Sequence, residues 1–127
     1  MIEQYFQRIA ETISAFPVIS SSQVTYDKRS AYVGFIRGEI FFVDGSCLHI
    51  REYVNVQSGT DRYMYSFHYQ RRDHVLLFRY DNAPHYPELD GFPHHKHLAD
   101  DSVIAALTPP DLTLVLNEIQ QRLLSNE

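Results

Sequence analysis

The chain has 127 residues, of which 44% are hydrophobic and 21% charged, and its formal net charge is −5. This composition fits one domain with a packed core, and it excludes a disordered chain. The single cysteine, Cys47, excludes both an internal disulfide framework and a cysteine-rich zinc module.

No apolar run is long enough to form a transmembrane helix. The first residues include Glu3 and Glu11, where a signal peptide needs basic residues followed by an apolar stretch. We therefore expect a cytoplasmic protein that makes no membrane contact.

Residues 1–16 predict an amphipathic helix, because apolar residues recur at steps of three and four and Pro17 follows. Across residues 22–82 the apolar period changes to two. The dipeptide Asp44-Gly45 is typical of a hairpin turn. This pattern predicts an antiparallel meander of four strands, with 22–28 as a possible fifth.

Residues 83–100 contain three prolines and one glycine, which predicts a long histidine-rich loop. A second helix is predicted over 108–125, with Thr108 as its N-cap and one apolar stripe along its length. The expected architecture is a single α+β domain, residues 1–127, with both helices packed on one face of a sheet of four or five strands.

The charge is distributed unevenly along this domain. Residues 28–97 contain nine basic and eight acidic residues and all seven histidines, so the net negative charge lies in the two terminal segments. An RNA partner is therefore compatible with an acidic chain.

Strand alternation places one set of polar side chains on the face opposite the helices: Arg37, Glu39, His49, Arg51, Arg62, His68, Arg79 and Asp81. A one-residue bulge would reverse part of this assignment. Histidines that exchange protons beside arginines that bind phosphate are suited to cleaving RNA without a metal. The alternative is a solvated sheet face with cross-strand ion pairs and stacked aromatic rings.

The predicted loop contains the most distinctive motif, Phe92-Pro93-His94-His95-Lys96-His97. If this segment is extended, His95 and His97 point to one side and His94 to the other. Three interpretations remain open: a zinc or nickel site, a basic loop that contacts phosphate, and a purely structural loop. Asp81 either forms a turn or orients one of these histidines.

The ordered motifs together are VTYDKRS (24–30), GFIRGEIFFVDGSCLHIREY (34–53), DRYMYSFHYQ (61–70), FRYDNAPHYP (78–87) and FPHHKH (92–97). They resemble the TumE family, small prokaryotic proteins described as toxins of toxin–antitoxin pairs. The resemblance covers nearly the whole chain, and RYDN-x-PH and FPHHKH are its most diagnostic segments. It implies a cytoplasmic toxin with a small antitoxin as its partner, and it transfers no catalytic residues.

Many small toxins of this size cut RNA, so the leading hypothesis is RNA cleavage by analogy, with no cofactor. The candidate catalytic residues are His95, His97, Arg79 and His68. The candidate substrate-binding residues are Arg51, Arg62, Lys96, His94 and Asp81. A second hypothesis is a non-enzymatic module or homodimer whose polar sheet face binds protein. A third is a metal-dependent hydrolase that uses the histidine loop.

Overall fold

A computed structural model describes residues 1–125, and the last two residues of the predicted domain lie outside this range. The elements in chain order are α1 (Ile2–Ser14), β1 (Ile19–Lys28), β2 (Val33–Phe42), β3 (Cys47–Asn55), β4 (Asp61–Gln70), β5 (Leu76–Asp81), β6 (His95–Leu98), β7 (Val103–Ala105) and α2 (Leu112–Ser125). The strands form one antiparallel sheet in the order β1 to β7, each paired with its neighbours in sequence. The predicted α+β meander is confirmed, but with seven strands instead of four or five.

Both helices pack on the same face of the sheet. The buried residues of α1 are Ile2, Tyr5, Ile9 and Ile13, and those of α2 are Leu112, Val115, Leu116 and Ile119. They belong to one apolar cluster with the inward-facing residues of β2 to β5, which include Ile36, Ile50, Phe67 and Phe78. The opposite face is left without a covering element among the described residues, as the strand alternation predicted.

The helix boundaries are narrower than predicted. Helix α1 ends at Ser14, two residues before the predicted end. Helix α2 begins at Leu112 instead of residue 108, because Asp111 caps it: its Oδ1 accepts a hydrogen bond from the backbone amide of Leu114 at 2.8 Å. The two prolines at 109 and 110 therefore precede the helix and do not form its first turn.

The turn between β2 and β3 follows the prediction. Gly45 has a φ of +87°, which a glycine adopts without the steric cost that a side chain would add. The turn is supported by Asp44, whose Oδ1 accepts a hydrogen bond from the backbone amide of Ser46. Strands β2 and β3 are thereby joined in a fixed register, which determines the side chains that share a face.

The predicted loop at 83–100 is only partly a loop. Residues 95–98 form β6, which pairs with β5 on one side and with β7 on the other. The prediction of irregular structure for this stretch was wrong because it was based on the three prolines and the glycine. The prolines and the glycine all lie before residue 94, whereas residues 95–98 pair with β5 and cover an edge of the sheet that would otherwise be open.

The predicted face of Arg62 was also wrong. The β3–β4 register pairs Tyr53 with Met64 but Val54 with Arg62, so Tyr63 is an extra residue in β4. Such a bulge moves the residues beyond it to the other face. Arg62 therefore lies on the helix-covered side, where its Nη1 is 3.7 Å from the buried Glu52 carboxylate.

Candidate functional site

A row of polar side chains crosses the uncovered face of the sheet, which we call the open face. The strand registers pair His49 with His68, His68 with Arg79, and Arg79 with His97. Arg79 donates a hydrogen bond from Nη1 to His68 Nδ1 at 3.3 Å, since a guanidinium has no acceptor. Arg79 therefore lies between an imidazole of β4 and an imidazole of β6.

Beside this row lies a tight group that we call the Asp81 cluster, made of Asp81, His95 and His97. Asp81 Oδ1 is 2.8 Å from His95 Nε2, and Asp81 Oδ2 is 3.5 Å from His97 Nε2. The two Nε2 atoms are 3.1 Å apart. The β5–β6 register creates the cluster because it pairs Asp81 with His95 and Arg79 with His97.

The Asp81 carboxylate is held from two further directions. Arg79 Nε donates to Oδ2 at 2.9 Å, and the backbone amide of Ala83 donates to Oδ1 at 3.0 Å. Burial alone would raise the pKa of Asp81. The hydrogen bonds from Arg79 and Ala83, with the charges of His95 and Arg79, outweigh burial and leave the pKa lowered, so the group is ionised at neutral pH.

His95 is the deepest member of the cluster, with 1% of its surface exposed. Its Nδ1 lies 3.0 Å from the carbonyl oxygen of Pro93. A carbonyl oxygen can only accept a hydrogen bond, so His95 Nδ1 carries a proton. The ring of Tyr86 packs edge-on against His95 and His97, with centroid distances of 4.9 Å and 6.0 Å, and so restricts both imidazoles.

The imidazoles nearer to solvent are biased towards the neutral form. Burial lowers the pKa of His97, and the charges of His95 and Arg79 lower it further, whereas Asp81 opposes them. Burial also lowers the pKa of His68, with Arg79 and His49 acting in the same direction. Neutral imidazoles have a free lone pair, which can accept a proton or bind a metal.

Arg51 and Arg79 provide the positive charge of this surface. Both line an open cleft of about 430 Å³ next to Asp81. Among the described residues Arg51 has no carboxylate within 4.0 Å, and it lies opposite Arg37 on β2, which also has none. An unpaired guanidinium is suited to bind a phosphate through two N–H groups.

Three of the predicted substrate-binding residues lie elsewhere. Lys96 points to the helix-covered side, where its Nζ is 2.9 Å from the Glu118 carboxylate of α2. His94 stacks on Tyr65, a core residue, and its Nδ1 is 2.8 Å from the Tyr65 hydroxyl. Arg62 lies half-buried on the same helix-covered side, where its Nη1 donates a hydrogen bond to the Pro110 carbonyl at 2.5 Å. The structure thus brings together His95, His97, Arg79, His68, Arg51 and Asp81 and leaves out Arg62, Lys96 and His94.

Sequence reasoning missed the groups that orient the cluster. Neither the Pro93 carbonyl nor the Ala83 amide carries a side-chain signal, so no residue pattern indicates their role. Tyr86 lies in a segment without periodicity, and its packing against the two histidines depends on the path of the chain between β5 and β6. The alternation within 94–97 did predict that His95 and His97 share one side.

The Asp81 cluster also has the arrangement of side chains that could hold a metal ion. One ligand atom from each of Asp81, His95 and His97 lies within 4.8 Å of the others.

Neither helix of residues 1–125 has the length and apolar content that a membrane span requires.

The fold and the cluster define a small α+β protein with a histidine- and arginine-lined face on an antiparallel sheet. The family model described as Toxin TumE matches residues 8–123, and the chain therefore belongs to this toxin family. Membership implies the toxin of a toxin–antitoxin pair, with a cognate antitoxin as its partner. No curated protein and no solved structure matches the chain.

Proposed function

We propose that this member of the toxin family cleaves RNA, and that the reaction takes place at Arg79 between His68 and the Asp81 cluster. The observation that carries the proposal is the cross-strand row in which Arg79 has an imidazole on each neighbouring strand. A phosphate bound by Arg79 would have a group able to exchange protons on either side.

The proposed step is an attack by the ribose 2′-oxygen on the adjacent phosphorus. The new bond forms as the bond from phosphorus to the 5′-oxygen breaks, which leaves a cyclic phosphate and a 5′-hydroxyl. The proton of the 2′-hydroxyl passes to the protein on one side of Arg79, and a proton from the other side passes to the 5′-oxygen. Arg79 offsets the charge that builds up on the phosphate oxygens.

Two arginines of the open face support substrate binding in this proposal. Arg79 is 38% exposed, and its contacts with Asp81 and His68 leave N–H groups free for a phosphate. Arg51 lines the same cleft and is positioned for a neighbouring phosphate. Arg62, Lys96 and His94 have no part in it because their side chains are engaged on the helix-covered side.

The test compares the wild type with Arg79→Ala and with Arg71→Ala as the matched control. Arg71 is exposed and pairs with Asp73 in the turn after β4, away from the cluster. We expect purified wild type and R71A to cleave cellular RNA, and R79A to do so about 10²- to 10³-fold more slowly, the usual cost of removing a donor to the transition state. Circular dichroism verifies that each variant is folded.

Expression in cells without the antitoxin gives the second measurement. We expect growth arrest together with RNA fragments for the wild type, and neither for R79A. Growth arrest with intact RNA would overturn the proposal and favour the non-enzymatic alternative, in which the open face binds a protein. A variant R79A that cleaves RNA as fast as the wild type would exclude Arg79 from the reaction.

A further inference from the structure

We infer that the Asp81 cluster binds one divalent transition-metal ion, with His95 Nε2, His97 Nε2 and an Asp81 carboxylate oxygen as its ligands. This inference adds a cofactor to the reaction centre proposed above. It stands on geometry that does not depend on the substrate.

The distances between the ligand atoms are those of a coordination shell. Zinc bonds to nitrogen and carboxylate oxygen are about 2.0–2.2 Å long, so neighbouring ligands lie about 2.9–3.5 Å apart for angles between 90° and tetrahedral. The two Nε2 atoms are 3.1 Å apart, His95 Nε2 is 2.8 Å from Asp81 Oδ1, and His97 Nε2 is 3.5 Å from the other carboxylate oxygen, Oδ2. A zinc ion therefore fits between the two imidazole nitrogens and the Asp81 carboxylate with only small adjustments.

The hydrogen bond made by His95 Nδ1 points to the same conclusion. Because its Nδ1 donates to the Pro93 carbonyl, a neutral His95 has a lone pair at Nε2. This lone pair faces a carboxylate oxygen and a second imidazole nitrogen, both within 3.1 Å. A single shared proton can satisfy one of these contacts, whereas a metal ion satisfies all of them.

The surroundings of the cluster are those that support metal ligands. A ligand histidine commonly donates its other N–H to a carbonyl or carboxylate, as His95 does to Pro93. The ligand carboxylate is in turn held by Arg79 and the Ala83 amide. Tyr86 restricts both imidazole rings. The cluster is thus ordered by residues outside it.

The ligand types select the class of metal. Two imidazoles and one carboxylate favour zinc and similar transition metals over magnesium or calcium, which prefer oxygen ligands. Three protein ligands leave a coordination position for water, as in catalytic zinc sites. Such a water is the group that would exchange a proton on this side of Arg79.

The test measures Zn²⁺ binding to the full chain, produced without a histidine tag and stripped of metal by chelator. The key variant is His97→Ala, since His97 is 27% exposed and its removal disturbs the core less than loss of His95. His94→Ala is the matched control: the same change, three residues earlier, on a side chain outside the cluster. Metal content, competition with a chromophoric chelator and the Tm are recorded for each protein.

We expect one Zn²⁺ per chain for the wild type and H94A, with a higher Tm in its presence, and at least about tenfold weaker binding for H97A. R79A should still bind Zn²⁺, because Arg79 is not a ligand, although it loses RNA cleavage. A wild type that binds no Zn²⁺, or an H97A that binds it as tightly as the wild type, would overturn the inference.

The two proposals fail in different ways. If Zn²⁺ binds as expected but RNA stays intact, the proposed function is wrong and the metal site stands. If the metal-free protein cleaves RNA and Zn²⁺ does not bind, the metal site is wrong and the histidines act alone.

Discussion

Glu52 is a buried carboxylate beneath α1, with 3% of its surface exposed. It accepts a hydrogen bond from the Tyr5 hydroxyl of α1, and Arg62 lies nearby. Burial raises the pKa of Glu52, while the Tyr5 hydrogen bond and the Arg62 charge partly oppose that rise. Folding therefore depends on two partners that keep this carboxylate satisfied.

We predict that Tyr5→Phe lowers the free energy of unfolding by about 1–3 kcal/mol, because Glu52 loses a buried hydrogen bond. The folded Glu52 keeps its proton at a higher pH than the unfolded chain does, so stability falls as pH rises from the ordinary glutamate pKa through the raised one. The Tyr5 hydroxyl lowers the pKa of Glu52, and Y5F removes it. The loss of unfolding free energy in Y5F should therefore be larger at a pH above the raised Glu52 pKa than at a pH below the ordinary glutamate pKa.

Urea unfolding at several pH values measures the effect, with Tyr63→Phe as the control. The Tyr63 hydroxyl accepts a hydrogen bond from Asn55 on the exposed side of the sheet, where such a change usually costs at most about 0.5 kcal/mol. Equal losses of unfolding free energy in Y5F and Tyr63→Phe would show that the hydrogen bond from Tyr5 to Glu52 does not stabilise the fold.

The sequence predicted some of the residues that form the Asp81 cluster. Alternation places His95 and His97 on one side, and the position of Asp81 at the end of β5 made it a candidate to orient them. Their distances could not be predicted, because they depend on the pairing of β5 with β6. Sequence alone therefore left the metal site as one interpretation of three.

At the scale of elements, the stretch from β5 to β7 departs most from the expectation. The six residues of β5 have the apolar alternation of a strand, but β6 and β7 have four and three residues, too few for a period to be recognised. These strands are defined by the hydrogen-bonding edge that β5 offers them. The fold up to β5 was predictable from local pattern, and the last two strands were not.

Hydrogen exchange distinguishes this pairing from the loop that the sequence predicts. We expect a peptide covering residues 94–99 to exchange at least about tenfold more slowly than one covering 84–92, because β6 is paired on both sides and the preceding segment is not a strand. Both peptides come from the same digest, so each serves as the control of the other. Equal rates would contradict the strand.

The bulge in β4 explains the other mistaken placement. Perfect alternation puts Arg62 with Ser66 and His68, and a single extra residue, Tyr63, reverses it. Bulges of this kind have no distinct signature within DRYMYSFHYQ, since every position remains compatible with a strand. A charged residue near the end of a strand is therefore the least secure part of such a face assignment.

For the whole molecule, the uneven charge has a structural counterpart. The acidic excess lies in residues 1–27 and 98–127, the segments that contain both helices, while Arg37, Arg51 and Arg79 extend over the open face of an otherwise acidic protein. Nucleic-acid binding by such a surface depends on a few specific contacts instead of a general positive potential.

Because only a few arginines would contact phosphate, we predict that the affinity for single-stranded nucleic acid falls only slowly with increasing salt. With Arg51 and Arg79 as two phosphate contacts, the slope of log affinity against log salt for a single strand is about −1.4, or roughly a sevenfold loss of affinity between about 50 and 200 mM salt. Fluorescence anisotropy with a 2′-deoxy strand, which 2′-attack cannot cleave, measures it. A slope steeper than about −4 would indicate a much wider basic contact surface, and Arg51→Ala should reduce the slope by about half.

The alternation of β6 gives this short strand an unusual sensitivity to length changes. His95 and His97 face the cluster, and Lys96 between them faces Glu118. One residue gained or lost between 84 and 92 lengthens or shortens a connection, and the strand keeps its pairing. The same change inside 95–98 turns the side chains to opposite faces of the sheet. Lys96 would then face the carboxylate of Asp81, and the imidazoles would face α2. Length variation within this family should therefore concentrate before the strand and be absent from it.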